Sequence, residues 1–280
     1  MNLVIQGEDV ATPDLKALHG IANGAAIERV GDTAFRITQA DPSTREAVAA
    51  HCAKARLDFG FVEEGRRLSD FRLLAMDMDS TLISIECIDE IADFAGRKAE
   101  VAAVTASAMR GEIDWPESLK RRVAALAGLP AETLARVYEE RLRFNPGAER
   151  LLAAAGRQGL KTLLVSGGFT FFTDRVRERL RFDEAWSNEL VVEDGRLAGR
   201  TTGPLVDALG KADHLRRMRD ALGIGPENVI AIGDGANDLP MLALAQASIA
   251  YHAKPVVKAK TRYALDYSGL DGVLNLFPES

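Results

Sequence analysis

The stretch Leu73-Leu74-Ala75-Met76-Asp77-Met78-Asp79-Ser80-Thr81 decides how this chain is read. Its unbroken apolar opening, Leu73–Met76, predicts a strand buried on both faces, as strands of parallel sheets are. Residues i and i+2 leave a strand on the same side, which carries Asp77 and Asp79 toward one point. Two carboxylates crowded together repel each other unless a proton or a cation resolves the conflict. Mg2+ suits that task, because it prefers hard oxygen ligands and is held by one or two carboxylates plus substrate phosphate. A strand ending in an acidic turn without chemistry would look the same over this short run, so the rest of the chain must arbitrate.

At 280 residues, with 47% hydrophobic and 27% charged residues, the chain has the composition of an ordinary soluble globular protein. The length allows one large domain or two, at about 100–200 residues per domain. A formal charge of −6 and a pI near 5.4 leave no broad basic footprint, which argues against a nucleic-acid partner. The cluster Lys120-Arg121-Arg122 and the arginines between 175 and 181 fall in helical patterns and read as solvated faces. Cys52 and Cys87 are too few for a disulfide framework or a cysteine-rich metal site. His19, His51, His214 and His252 show no metal-ligand spacing. The first residues lack a signal-peptide pattern, and no run approaches the roughly 18 apolar residues of a membrane span. The expected location is the cytoplasm, with no membrane partner.

Residues 1–70 alternate between strand-like and helix-like patterns: a strand at Asn2–Gln6, a helix at 14–22, one or two strands within 27–38 and a helix at 44–55. Asp41-Pro42-Ser43 reads as a turn and helix start. This is a small α+β module. From about residue 72 the pattern becomes α/β, with strands expected at Leu73–Met76, 162–165, 229–232 and 248–251 separated by helical stretches. Such alternation predicts a Rossmann-like parallel sheet flanked by helices. Residues 84–145 are a long helical insertion that a simple crossover does not need, and they read as a helical cap. Asn145-Pro146-Gly147 punctuates the return to the sheet. The expected organisation is therefore 1–70 as the small module and 71–280 as the main domain, with the cap at about 84–145.

In open α/β sheets, ligands bind beyond the carboxyl ends of the strands. The first expected strand ends in Asp77-Met78-Asp79. The second ends in Ser166-Gly167-Gly168, whose hydroxyl and glycine amides suit phosphate oxygens. The third ends in Gly233-Asp234-Gly235-Ala236-Asn237-Asp238, which adds oxygen ligands. Each segment has a bland reading as a turn, but together they deliver complementary groups to one sheet edge. Lys211, near the start of the helical pattern 212–222, can supply the cation that a phosphate dianion among aspartates requires.

These four segments, in this order, resemble the motifs of the haloacid dehalogenase superfamily. The longer context, from Asp77 to Glu90, Val165 to Phe169, and Gly233 to Asp238 followed by Ala253-Lys254-Pro255, is similar to its phosphoserine-hydrolysing branch. The resemblance spans about 72–275. Met78 stands where a Phe is common, with its side chain expected to face away from the acids. The resemblance implies that Asp77 attacks phosphorus and becomes an aspartyl phosphate. Asp79 would protonate the leaving serine oxygen and later deprotonate the attacking water. It further implies Mg2+ held by the Asp77 carboxylate, the Asp79 carbonyl and Asp234, with Asp238 orienting that shell. Ser166, the Gly167 amide and Lys211 would bind the transferring phosphoryl group, and Asn237 the phosphate or its support.

The cap should choose the substrate. Phosphoserine carries an ammonium and a carboxylate beyond its phosphate, and Glu86 and Arg122 match the acid and arginine that contact these groups in the family. Leu119, Val123 and Leu126 follow helical spacing, which sets Arg122 at the border of a buried stripe. Met109 and Trp115 match apolar cap positions that shape the small pocket. The implied reaction is Mg2+-dependent hydrolysis of O-phospho-L-serine to serine and phosphate, the last step of serine biosynthesis. Two alternatives stay open at this stage: phosphoryl transfer to another amino alcohol, and a non-catalytic amino-acid sensor. The coarse pattern of residues 1–70 resembles ACT modules, which would offer a homodimer surface.

Overall fold

In the computed structural model, which describes residues 1–279 apart from the Met109 side chain, six elements precede the main sheet. They are β1 (Asn2–Gln6), α1 (Thr12–Ile21), β2 (Ile27–Gly31), β3 (Ala34–Ile37), α2 (Arg45–Ala55) and β4 (Asp58–Val62). The strands form an antiparallel sheet in the order β2-β3-β1-β4, the split βαβ arrangement of ferredoxin-like modules. Alternation decides the two faces of this sheet. Leu3, Ile5, Ile37 and Phe61 pack with Leu15, Leu18, Val48 and Cys52 of the two helices. Val4 and Val62 point the other way and join the main core. The strand β4 was not expected from the sequence; it contains Gly60, where an added Cβ would lie 2.7 Å from Leu276 and 2.8 Å from Tyr263. The glycine allows this close approach, and Asp58 ties the same edge by accepting from the amides of Asp266 (2.7 Å) and Tyr267 (3.0 Å).

The remaining chain continues through β5 (Leu73–Met76), α3 (Cys87–Phe94), α4 (Lys98–Met109), α5 (Trp115–Ala124), α6 (Glu132–Arg136), α7 (Ala148–Arg157), β6 (Lys161–Phe169) and α8 (Thr170–Leu180). Then follow β7 (Glu184–Glu193), β8 (Arg196–Thr202), α9 (Ala208–Ala221), β9 (Val229–Gly233), β10 (Ala247–Tyr251) and β11 (Tyr263–Leu265). The seven strands lie in the order β11-β10-β9-β5-β6-β7-β8. Every pairing is parallel except β7 with β8. The fold is thus α/β with a mostly parallel central sheet. All residues of β5 and β9 are buried, as expected of central strands covered on both faces.

The main sheet departs from the sequence expectation in its edge strands, β11 among them, and at the end of β6. Ser166-Gly167-Gly168 is not a turn after a strand: β6 runs on to Phe169, with its register to β7 interrupted between Val165 and Phe169. Two glycines let the backbone leave the ladder and rejoin it. The hairpin β7–β8 was also absent from the expected strands, and it meets the insertion directly. Leu197 bonds through its backbone to Gly128 and Leu129, each at 2.8 Å. The insertion is helical, and Val101, Leu119, Val123, Leu126 and Leu134 continue the apolar core of one sheet face into it.

Candidate active site

The carboxyl ends of β5, β6 and β9 open into one cavity of about 380 Å³, closed on the far side by the helical insertion. Asp77 and Asp79 keep extended backbone (ψ 161° and 133°) before Ser80 turns into the left-handed region at φ 58°. Both acids line the cavity. Asp77 is buried, and its Oδ1 lies 2.7 Å from Lys211 Nζ and accepts from the Met78 amide at 2.8 Å. Asp79 accepts from the Cys87 amide through Oδ1 (3.2 Å) and faces the Ser166 hydroxyl through Oδ2 (3.5 Å). Gly168 leaves room for this arrangement, since a Cβ there would lie 2.6 Å from Asp79 Oδ2.

Lys211 sits in the first turn of α9, whose N-cap Asp207 accepts from Gly210 at 2.8 Å. Its ammonium is shared between Asp77 and Asp238, at 2.7 Å from each. The other Asp238 oxygen accepts from the amides of Asp234 (3.1 Å) and Gly235 (2.9 Å), so Asp238 is fully engaged and sits behind the cavity. Asp234 lines the cavity and is held by the Thr81 hydroxyl at 2.8 Å.

Burial sets the electrostatics. It pushes the Asp77 carboxyl well above the usual range; Asp238 adds to the push and Lys211 opposes it. Asp234 is raised to about 6 by burial and by Asp238. Asp79 is raised by burial against the hydrogen bonds from Cys87. Burial opposes the Lys211 charge, yet Asp238 and Asp77 outweigh it and raise the ammonium pKa. Carboxylate oxygens of Asp77, Asp234 and Asp238 lie within 4.8 Å of one another, with the one ammonium of Lys211 bonded among them. That surplus of negative charge and the all-oxygen donor set fit a hard divalent cation.

The cap end of the cavity carries Glu86 and Arg122. Glu86 precedes α3 and reaches solvent through the cavity, with its Oε1 accepting from Ser80 at 2.7 Å. Protein crowds it on the other sides, and burial followed by the Asp79 charge raises its pKa to about 7. Arg122, on α5, has no ion pair within 4.0 Å among the described residues, and its buried Nε has no hydrogen-bond partner. Burial lowers its pKa, with Asp89, Glu86 and Asp79 opposing.

Of the residues expected from the sequence, Asp77, Asp79, Glu86, Trp115, Arg122, Ser166, Gly167, Lys211, Asp234 and Asn237 all line this cavity. A Cβ on Gly167 would lie 3.0 Å from the Trp115 ring, which therefore closes directly over the phosphate-side strand end. The expectation for Met109 concerns a side chain outside the described residues. Sequence reasoning missed Thr81, although it lies inside the opening motif, and Asn188 on β7. Asn188 is 1% exposed and joins Gly167 to Val206 through its amide. The available signal was a lone amide between Trp186 and Leu190 in a strand that the sequence reading did not find.

A family described as haloacid dehalogenase-like hydrolase matches residues 74–243, and one described only as a domain of unknown function matches residues 3–48. A phosphoserine phosphatase of Polaromonas sp. is 55% identical over 215 residues, covering 75% of this chain and 91% of that protein. Among solved structures, a haloacid dehalogenase family hydrolase of Salmonella enterica serovar Typhi superposes with a TM-score of 0.90 at 32% identity, covering both chains fully. A substrate-bound phosphoserine phosphatase complex superposes with a TM-score of 0.69 at 35% identity, covering 74% of this chain and 98% of that one. With the strand ends, the buried lysine and the family match agreeing over the same segments, the chain belongs to the haloacid dehalogenase-like hydrolases.

Proposed function

We propose that this protein hydrolyses O-phospho-L-serine to L-serine and phosphate through an aspartyl phosphate on Asp77. The observation that carries the reading is one small cavity with a nucleophile at one end and, at the other, the unpaired Arg122 guanidinium beside the Glu86 carboxyl. Relatives named phosphoserine phosphatases at up to 55% identity support it.

The substrate phosphate enters against Ser166, the Gly167 amide and Lys211, which hold its equatorial oxygens. An Asp77 carboxylate oxygen attacks phosphorus, and the bond to the serine oxygen breaks. Asp79, whose burial favours its protonated form, gives its proton to that oxygen. In the second half, Asp79 takes a proton from water, the water oxygen bonds to phosphorus, and the bond to Asp77 breaks. Arg122 grips the substrate carboxylate and Glu86 its ammonium. Asp77 and Asp234, with the Asp79 carbonyl, would hold Mg2+, which when bound would offset charge on the phosphoryl group and its carboxylate neighbours. Asp238 keeps Lys211 and the 234–235 backbone in place. Asn237 supports the bound phosphate.

The proposal treats residues 1–70 as a module outside the chemistry and 71–280 as the catalytic unit, with 84–145 as its cap. The Polaromonas relative supports this division, because nearly all of it aligns to three quarters of the chain. The exposed edge strand β2 supports a homodimer formed through the module. The buried free thiols Cys52 and Cys87 support a reducing, cytoplasmic location. Among the described residues no helix is long and apolar enough to cross a membrane.

The test is phosphate release from O-phospho-L-serine by purified enzyme with and without Mg2+, beside Asp77→Asn. Turnover that needs Mg2+ and vanishes in a folded Asp77→Asn is the expected result. Wild-type-like turnover in that variant sinks the covalent route. Phosphate appearing on added homoserine in place of free phosphate makes the enzyme a phosphotransferase.

A further inference from the structure

We propose that Asn188 is a positioning residue that orients the Ser166 hydroxyl toward the phosphoryl site by holding the Gly167–Gly168 peptide; the inference rests on the phosphatase reading above. The strand β6 leaves its ladder with β7 between Val165 and Phe169, and pairing resumes at Phe169 opposite Asn188. The backbone groups of 166–168 therefore need other partners. The Asn188 amide supplies one, its Nδ2 donating to the Gly167 carbonyl at 2.9 Å. A trans peptide is planar, so fixing the Gly167 carbonyl fixes the direction of the Gly168 N–H. That N–H donates to Ser166 Oγ at 2.9 Å. A hydroxyl has one proton and two acceptor positions. With an acceptor position filled from Gly168, the Ser166 proton is directed to the side where Asp79 Oδ2 lies, 3.5 Å away, which is the cavity side.

The other end of the same amide reaches the second phosphate-binding element. Asn188 Oδ1 accepts from the Val206 amide at 2.9 Å, one residue before the Asp207 cap of α9 and five before Lys211. One buried side chain thus couples the strand end bearing Ser166 to the helix start bearing Lys211. The position needs a donor and an acceptor in one short planar group. Aspartate of the same size offers acceptors only, and would set an oxygen against the Gly167 carbonyl while still accepting from Val206.

The experiment uses full-length, Mg2+-loaded enzyme with O-phospho-L-serine. Asn188→Asp and Asn188→Ala are each measured alone and combined with Ser166→Ala, with folding checked by circular dichroism and thermal melting. Misplacing a group that meets the developing charge lowers kcat about 10- to 100-fold, with KM moving far less. Because Asn188→Asp keeps the acceptor for Val206 and loses only the donor that acts through Ser166, it should cost under about threefold in the Ser166→Ala background, a strong non-additivity. A folded Asn188→Asp with wild-type kcat overturns the proposal. So does an equal loss with and without the Ser166 hydroxyl, the pattern of a merely structural amide. Absence of phosphoserine turnover in the wild type would instead strike the functional reading beneath it.

Discussion

Arg122→Ala should damage phosphoserine turnover selectively. Arg122 has no ion-pair partner within 4.0 Å among the described residues, and its Nε is buried without a hydrogen bond. Truncation therefore breaks no internal salt bridge, and the loss falls on whatever ligand the guanidinium meets. A hydrogen bond to a charged group contributes roughly 1.5–3 kcal/mol. At about 1.4 kcal/mol per tenfold, kcat/KM for phosphoserine should drop roughly 10- to 150-fold. Removing the cation also leaves Asp89, Glu86 and Asp79 less compensated, which affects every substrate. The diagnostic quantity is therefore a ratio. O-phosphoethanolamine keeps the phosphate and the ammonium but lacks the carboxylate, so only the shared part of the loss should appear with it. Steady-state phosphate release on both substrates, wild type against variant, gives that ratio. Equal losses would refute the reasoning and move Arg122 into the phosphoryl site or into the structure of the cap.

The remaining predictions concern the cap acid, the strand end and the module. Glu86 has its free-enzyme pKa raised to about 7, so the carboxylate proposed to pair with the ammonium is lost as pH falls through that value. The pH profile of kcat/KM for phosphoserine should show an acid limb approaching about tenfold per unit, moved lower by a bound cation but with the same sign. The part of that limb owed to Glu86 should be lost in Glu86→Gln and for a phosphate ester without an ammonium, leaving the part that Asp77 and Asp234 contribute. In Gly168→Ala the added Cβ would sit 2.6 Å from Asp79 Oδ2 and 3.0 Å from Ser166 Oγ. A displacement of this kind should cost about 100-fold in kcat with the fold retained, and unchanged kcat would show that Asp79 does not need its present place. Residues 71–280 alone should still bind fluoroberyllate, the mimic of the aspartyl phosphate, but melt earlier and aggregate more, because Tyr263 and Leu276 lose the cover of Gly60. A folded truncation unable to bind fluoroberyllate would contradict the assignment of 1–70 as a module outside the chemistry.

How much was legible follows from which forces leave marks in a sequence. The strands β5 and β9 lie at the sheet centre with helices on both faces, so burial writes them as apolar runs. Their ends announce themselves because buried aspartates are tolerated only where something compensates them. The edge hairpin β7–β8 carries mostly half-buried and exposed residues, and its pattern dissolves into polar sequence. In β4, Gly60 reads as a breaker, whereas its lack of a side chain is what the approach of Tyr263 and Leu276 requires. Contacts across long separations left no local mark. Nothing near Lys211 in the chain points to Asp238 27 residues later, and nothing near Asn188 points to Gly167 21 residues earlier.

The two ends of the cavity follow one electrostatic rule with opposite results. At the strand ends, Asp77 and Asp238 divide the Lys211 ammonium, while Asp234 is hydrogen-bonded by the Thr81 hydroxyl and feels Lys211 from farther off. That end is short of positive charge. At the cap end, Arg122 stands unpaired and Glu86 is held near neutrality by its surroundings. Pairing these two directly would satisfy both, yet no ion pair joins them among the described residues, so each remains open to a ligand. A desolvated guanidinium left without a partner penalises a ligand that lacks the matching carboxylate more than it favours one that has it. On the proposed reading, an amino acid bearing a phosphate is selected because it brings a carboxylate to Arg122, an ammonium to Glu86 and a phosphoryl group to the strand ends.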